Sequence, residues 1–214
     1  MKKPRSDAQK TRLRLLEAAG EIFGKKGFWS ATHEDICKKA KVNTAAINYH
    51  FRNKQNLYTE AWKYSFEKSI KKHPPEGEAS PNDPADKKIR ERILSFFQRL
   101  ADPESHDIDI MLKEMANPTG FLLGAIMATT EPIERGFRSV LKEAFGKGAT
   151  REQIDFCHMS ISSLCFGSML HLRSTLEKTE APKPDFIPLD LGIEKFADYT
   201  IKFSMAGINS FKEY

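Results

Sequence analysis

The chain has 214 residues, of which 40% are hydrophobic and 29% are charged, and its formal net charge is +5. This length suits one large domain or a small domain joined to a larger one. The sequence contains no run of eighteen apolar residues, and no apolar stretch follows the basic N-terminus. We therefore expect a cytoplasmic protein with no membrane-spanning helix and no secretory signal.

The charge is divided unevenly along the chain. Residues 1–72 hold 17 lysines and arginines against 7 acidic residues, a net charge of +10. Residues 73–214 hold 17 against 22, a net charge of −5. A basic first third is a weak signal for binding nucleic acid or an acidic membrane surface, because a solvated basic face is common.

The first predicted helix follows a capping box at Ser6–Gln9, SDAQ. Leu16, Ala19 and Phe23 then recur at helical spacing on one stripe, and Gly27 is predicted to end the helix.

Three shorter signals follow in residues 32–54. Thr32 is predicted to cap a helix over 33–40, Asn43 one over 44–51, and Asn53 one that starts at residue 54. The next stretch, HPPEGEASPNDPADKK at 73–88, contains four prolines and is predicted to be a loop.

Later segments also have helical periodicity. Helices are predicted over 89–100 and 108–116, and a segment that opens at Pro118 is expected to kink or split at Pro132. A second capping box at Thr150–Gln153 begins a long apolar helix to about residue 176, and the last helix runs over 193–211. We predict an all-α fold with nine or ten helices.

The arrangement of residues 33–50, a helix, a break at 41–43 and a second helix, predicts a helix-turn-helix. The second helix of that motif enters the DNA major groove. A helix-turn-helix accounts for the many hydrogen-bond donors and few apolar residues of NTAAINYHFRNK at 43–54. One face of the second helix would pack, and the donor-rich face would meet DNA. An ordinary helical hairpin with a polar outer face is the alternative.

The geometry of the motif divides the predicted DNA contacts into two groups. Thr44, Ala45 and Asn48 lie where side chains reach base edges, and Asn48 can pair with adenine. The other residues are expected to reach phosphates, which position the protein without reading sequence directly; they are Thr32, His33, Tyr49, His50 and Lys54.

Residues 11–58 resemble the DNA-binding domain of the TetR family of bacterial transcriptional regulators. The stretches that carry the resemblance are TRLRLLEAAGEIFGKKGF and ATHEDICKKAKVNTAAINYHFRNKQNLY. Two positions depart from the family pattern: Lys41 stands where glycine is usual, and Asn48 where an aromatic residue is usual. We expect Lys41 to adopt the turn conformation of a glycine and Asn48 to give the protein its own operator preference.

The resemblance implies three parts with separate roles. Residues 1–53 would form the DNA-binding domain, 54–72 a connecting helix, and 73–214 a domain for ligand binding and dimerisation. Residues 109–119, DIMLKEMANPT, and the helix after Thr150 are similar, more loosely, to the C-terminal half of the CecR-like branch. The implied partners are a double-stranded DNA operator, a small-molecule effector and a second copy of the chain, with no cofactor.

Candidate residues for the implied dimer face and ligand site follow from these helices. The stripe assigned to the dimer face could equally be core; it contains Ile154, Ile161, Leu164, Ser168 and Leu172. The apolar residues around Pro118 could line a ligand cavity or the core; those chosen are Met111, Met115, Phe121 and Phe137.

Two other functions remain open from the residues alone. A DNA-binding protein that only organises DNA would need no effector. A helical-bundle enzyme could use Asp155 and His158, which have the Asp-x-x-His spacing of a di-metal site, but no second such motif is found and no metal site is predicted. The cysteines Cys37, Cys157 and Cys165 are odd in number and form no CxxC pair, so we expect free, buried thiols.

Overall fold

The computed structural model describes residues 4–176 and 192–212, and over these residues it contains nine α-helices and no strand. This confirms the predicted all-α class. The first four helices are α1 (Pro4–Ser30), α2 (His33–Ala40), α3 (Ala45–Phe51) and α4 (Lys54–Lys72). The remaining helices are α5 (Ala85–Ala101), α6 (His106–Ala116), α7 (Leu123–Phe145), α8 (Arg151–Leu176) and α9 (Ile193–Lys212).

The predicted helix starts are confirmed where a short polar residue precedes the helix. Thr32 Oγ1 accepts a hydrogen bond from the Asp35 amide at 3.0 Å, and Asp35 Oδ2 accepts one from the Thr32 amide at 3.0 Å. Asn53 Oδ1 accepts from the Asn56 amide at 2.8 Å. Each side chain thereby satisfies an amide that the helix itself leaves unpaired.

Two predictions about helix boundaries were wrong. The first helix begins at Pro4, so Ser6 lies inside it rather than capping it. A proline in the first turn needs no amide partner and suits such a start. Residues 85–88 were placed in the predicted loop, but α5 begins at Ala85. Pro132 lies within α7, which does not split there and continues to Phe145.

Gly27 interrupts α1 as predicted, although helical residues follow it. Its φ of 71° and ψ of 173° are not helical, and α1 is two helical segments joined at this kink. A positive φ is accessible to glycine without the steric cost that a Cβ would bring.

The chain divides into two compact units, and this division does not follow chain order. The first unit joins the residues up to Lys72 with Pro103–Thr130, and the second joins His73–Asp102 with the residues from Glu131 onwards. The sequence-based division placed residues 103–130 with the C-terminal domain. In the structure α6 packs on α1 and α4, so it belongs to the first unit. The roles assigned to the three predicted parts remain predictions.

The first unit has a core formed mainly by α1, α4 and α6. Gly20 of α1 allows a close approach, since a Cβ there would lie 2.6 Å from Ser65 Oγ of α4. The largest fully buried side chains of this unit are Trp62, Tyr58, Phe23, Leu15, Ile36, Ile47, Leu57 and Ile108.

The second unit is built from α5, α8 and α9 with the C-terminal part of α7. Helix α5 packs on both α8 and α9. Arg92 of α5 donates to the Ile133 carbonyl at 3.1 Å, and its guanidinium lies 5.2 Å from the centre of the Phe137 ring. The apolar core here includes Ile89, Ile93, Phe97, Leu100, Leu141, Ile154, Ile161, Ala197 and Ile208. Among the helices described in either unit, none is long and apolar enough to cross a membrane.

Candidate nucleic-acid interface

The turn between α2 and α3 has the conformation that the sequence required of Lys41. This residue has φ 54° and ψ 49°, in the left-handed region. The Val42 amide donates to the Cys37 carbonyl at 3.0 Å, which closes α2 in the manner usual for a glycine at this position. Asn43 Oδ1 then accepts from the Ala45 amide at 2.9 Å and starts α3.

Helix α3 has one buried and one exposed face. Ile47 and Phe51 are buried, with 0% and 4% of their surface exposed. Thr44, Ala45 and Asn48 are all exposed on the other side. The three residues predicted to reach bases are therefore presented together, while the apolar residues hold the helix against the unit.

The predicted phosphate contacts differ in exposure. Tyr49 is 79% exposed and its ring meets the His50 ring edge-on at 4.9 Å. Thr32 is exposed, whereas His33 and His50 are half-buried. Burial, and then the charge of Arg12, lowers the pKa of His50.

Lys54 begins α4 with its ammonium against an aromatic ring. Its Nζ lies 4.5 Å from the centre of the Phe28 ring, and partial burial lowers its pKa. This contact fixes the direction of a side chain that is otherwise long and flexible.

Ion pairs connect α1 with α2. Lys26 Nζ lies 2.7 Å from Asp35 Oδ1, and Lys39 Nζ lies 2.7 Å from Glu21 Oε2. Lys25 also contacts Glu21, and hydrogen bonds from Lys25 and Lys39 lower the pKa of this carboxyl to about 2.

The residues predicted for the dimer face differ in exposure. Ile154 and Ile161 are buried within the chain, at 8% and 3% exposure, and Leu164 and Ser168 are half-buried. The Leu172 side chain lies outside the described residues. Ile154 and Ile161 thus belong to the core of the second unit, and the assignment of this stripe to a dimer face remains a prediction.

A different set of apolar side chains on α8 and α9 is exposed. We call these residues the exposed α8–α9 face; they are Phe156, Met159, Phe166, Tyr199 and Phe203. Phe156, Met159 and Phe166 are also spaced as one stripe of a helix. Because α8 is apolar on several sides, its sequence does not show which apolar stripe is exposed.

The predicted ligand residues are distributed over both units. Met111, Met115 and Phe121 belong to the first unit, and Phe137 belongs to the second. Met115 and Phe121 are exposed, whereas Phe137 is 7% exposed and packs against Arg92 and His158. Their role as ligand contacts remains a prediction.

Asp155 and His158, the possible metal ligands of the enzyme alternative, each pair with a different residue. Asp155 pairs with Arg138 at 3.1 Å, while His158 Nε2 lies 2.5 Å from Glu134 Oε2. The described residues contain no group of three or more His, Cys, Asp or Glu that could hold a metal ion.

Sequence reasoning missed a buried polar cluster in the first unit. Glu114 of α6, 8% exposed, accepts a hydrogen bond from Tyr58 Oη at 3.0 Å and from the Thr119 amide at 3.0 Å. Burial and the Glu114 carboxylate raise the pKa of Tyr58 well above its usual range. Tyr58 and Glu114 lie 56 positions apart, so no local pattern could have joined them.

Comparison with known proteins identifies two regions of the chain. Residues 15–61 match the family model described as bacterial regulatory proteins of the tetR family. Residues 85–208, more than half of the chain, match that of the C-terminal domain of the HTH-type transcriptional dual regulator CecR.

Two curated relatives match over less than half of the chain. The HTH-type transcriptional regulator AcrR of Shigella flexneri is 36% identical over 64 residues, which are 30% of this chain and 30% of that protein. The "Probable acrEF/envCD operon repressor" of Escherichia coli (strain K12) is 33% identical over 102 residues, 47% of this chain and 45% of that protein. The matched regions thus span less than half of these two relatives.

The fold as a whole is similar to solved structures. A TetR-like transcriptional regulator from Rhodococcus sp. RHA1 superposes with a TM-score of 0.70 over 93% of this chain and 96% of that chain, at 12% sequence identity. An exposed recognition face on α3, two matching family models and this shared fold lead to one conclusion: the chain belongs to the TetR family of bacterial transcriptional regulators and is a DNA-binding protein.

Proposed function

We propose that this regulator is a repressor that binds a palindromic operator as a homodimer and is released by a small, mostly apolar effector. The observation that carries the proposal is the division of α3 into a buried face and an exposed face of Thr44, Ala45 and Asn48. Repression is supported by the relative whose name is an operon repressor.

Dimerisation is supported by the exposed α8–α9 face. Phe203 is 70% exposed, Met159 58% and Phe156 53%, which leaves large apolar side chains in water. Apolar surface of this kind is stabilised when a second copy covers it, and two-fold dimers are the commonest oligomers. A dimer would present two α3 helices to DNA, and a two-fold protein matches a palindromic site.

An apolar effector is supported by the surface of the first unit around the end of α6. Besides Met115 and Phe121, the exposed apolar residues here include Leu123 and Met127, which are 61% and 63% exposed. Methionine and aromatic side chains adapt to apolar molecules of varied shape. We propose that the effector contacts Met111, Met115 and Phe121.

Selection of binding sites from random DNA tests the proposed operator. We expect a palindrome whose half-sites lie about one helical turn apart, roughly 34–36 Å. Asn48→Ala should relax the base preference at one position of each half-site, at a cost of about 1–3 kcal/mol if the contact is bidentate. Gln98→Ala, which removes an exposed amide on α5, is the control. Enrichment of no palindrome would contradict the proposal.

A further inference from the structure

The carboxylate of Glu114 holds the loop that follows α6. Besides the Tyr58 hydroxyl and the Thr119 amide, it accepts a hydrogen bond from Thr119 Oγ1 at 2.9 Å. Thr119 Oγ1 in turn accepts one from the Phe121 amide at 3.1 Å. These bonds fix residues 117–122, which we call the α6–α7 loop, to the side of α4 that carries Tyr58.

The loop places an aromatic ring against α1. The Phe121 ring lies 5.4 Å from the Phe28 ring with an interplanar angle of 69°, an edge-to-face contact. Phe28 also meets the Tyr58 ring at 5.1 Å. Tyr58 therefore makes two contacts in this cluster: its hydroxyl donates to Glu114, and its ring packs against Phe28.

The Phe28 ring also contacts the Lys54 ammonium. The Lys54 Nζ lies 4.5 Å from the ring centre. Cations are attracted to the faces of aromatic rings, and such a contact limits the orientations of the lysine side chain. Phe28 is 8% exposed, so its own position depends on the rings packed around it.

We propose that the α6–α7 loop is a positioning element for DNA binding, in which Glu114 and Thr119 hold Phe121 against Phe28 and thereby hold Lys54 in place to contact a DNA phosphate. The inference rests on the proposed function, since it takes Lys54 as a phosphate contact. Glu114, Thr119 and Phe121 act through Lys54 and touch no DNA themselves. A molecule that withdraws the loop would weaken DNA binding without covering the DNA-binding surface.

A double-mutant cycle on the full-length protein tests this inference. The measurement is the affinity for a fixed duplex of mixed sequence over a range of salt concentrations. Phe121→Ala and Thr119→Val should each weaken binding about two- to fivefold, the size expected from a lost cation–π contact. Each should also shift the salt slope towards that of Lys54→Ala, which loses about one unit. In the Lys54→Ala background the same substitutions should have no further effect.

Controls separate positioning from general damage. Leu13→Ala removes an apolar side chain of the same unit that is 46% exposed, against 38% for Phe121, and should leave affinity and salt slope unchanged. Phe121→Tyr keeps the ring and should restore binding. Circular dichroism and thermal unfolding confirm that each variant is folded, and Tyr58→Phe, which removes only one hydroxyl, provides a milder second test of the loop.

The outcomes distinguish the inference from the proposed function. Losses from Phe121→Ala and Lys54→Ala that simply add would overturn the inference, as would a Lys54→Ala variant that binds the duplex like the parent protein. If the parent protein binds neither this duplex nor any selected site, the proposed function fails instead.

Discussion

At the scale of single residues, Lys41 adopts a left-handed backbone conformation that is unfavourable for a residue with a Cβ. The left-handed region brings the Cβ of an L-residue close to the following carbonyl oxygen, at a cost of about 1–2 kcal/mol. The turn nevertheless forms, because the Val42 amide bonds to the Cys37 carbonyl and Asn43 caps α3. Local hydrogen bonds therefore offset the strain of a lysine at a turn that glycine would adopt without strain.

Lys41→Gly should stabilise the protein by about 0.5–1 kcal/mol, since the relief of strain exceeds the added entropy of the unfolded chain. Denaturant unfolding measures the change. Lys38→Gly, within α2, is the control and should destabilise the protein by about 1 kcal/mol. A Lys41→Gly variant less stable than the parent would show that the lysine side chain contributes more than its backbone costs.

The ion pairs of Glu21 predict a dependence of stability on pH. The pKa of Glu21 falls from an ordinary 4.5 to about 2 in the folded protein, because Lys25 and Lys39 bond to it. Since the folded pKa is the lower one, the stabilisation is fully present above pH 4.5 and is lost as pH falls towards 2.

We expect Glu21→Gln to be less stable than the parent at neutral pH, and to lose less stability than the parent between pH 4.5 and 2. Chemical unfolding at several pH values measures this difference. Glu67→Gln changes an exposed carboxyl on α4 and should follow the parent curve. Parallel curves for Glu21→Gln and the parent would contradict the assigned ion pairs.

At the scale of elements, α8 shows why an apolar helix needs its neighbours to be interpreted. One stripe, with Ile154 and Ile161, packs within the chain, and another, with Phe156 and Met159, is exposed. Both repeat at three and four residues. The packing of α8 on α5 and α9 decides which stripe is internal, and only the remaining stripe is available to a partner.

Phe203→Glu should convert the proposed dimer to a monomer at micromolar concentration. In a two-fold interface the change is made twice, and each Phe that is no longer buried forfeits about 1.5–3 kcal/mol. Light scattering gives the mass, and operator affinity should fall with it. Asn209→Glu adds the same charge at an exposed polar position of α9 and should remain dimeric. A folded Phe203→Glu dimer would place the interface elsewhere.

At the scale of the whole molecule, release from DNA requires that an effector favour one conformation over another. A ligand that binds both states equally shifts neither, however tightly it binds. A coupling of about 1–3 kcal/mol would suffice for a useful switch, and linkage makes it reciprocal. Operator DNA must therefore weaken effector binding by the same factor.

A thermal-shift screen of small apolar molecules should find a ligand that raises the unfolding temperature, because binding only to the folded state stabilises it. Titration of that ligand with and without operator, at fixed salt, should then give affinities that differ about 5- to 150-fold. Equal affinities would leave a DNA-binding protein whose C-terminal half serves only to dimerise.

The sequence by itself determined the helical class, most helix boundaries and which residues of α3 are buried or exposed. The signals involved act between near neighbours: Thr32 with Asp35 at α2, Asn43 at α3, and Thr150 with Gln153, whose side chain accepts the Thr150 amide at 3.0 Å. Interactions over three or four residues are present in the sequence itself. The left-handed conformation of Lys41 was expected instead from the resemblance to the TetR family, in which glycine is usual at this turn.

Only the tertiary structure decided which residues separated along the chain come together. In the structure, residues 103–130 belong to the first unit and Ile161 is buried. Glu114 accepts a hydrogen bond from Tyr58. Periodicity shows that a helix has an apolar stripe but not what covers it, and a buried carboxylate is indistinguishable in sequence from an exposed one. Such contacts depend on how whole helices pack, and no local pattern of residues records that packing.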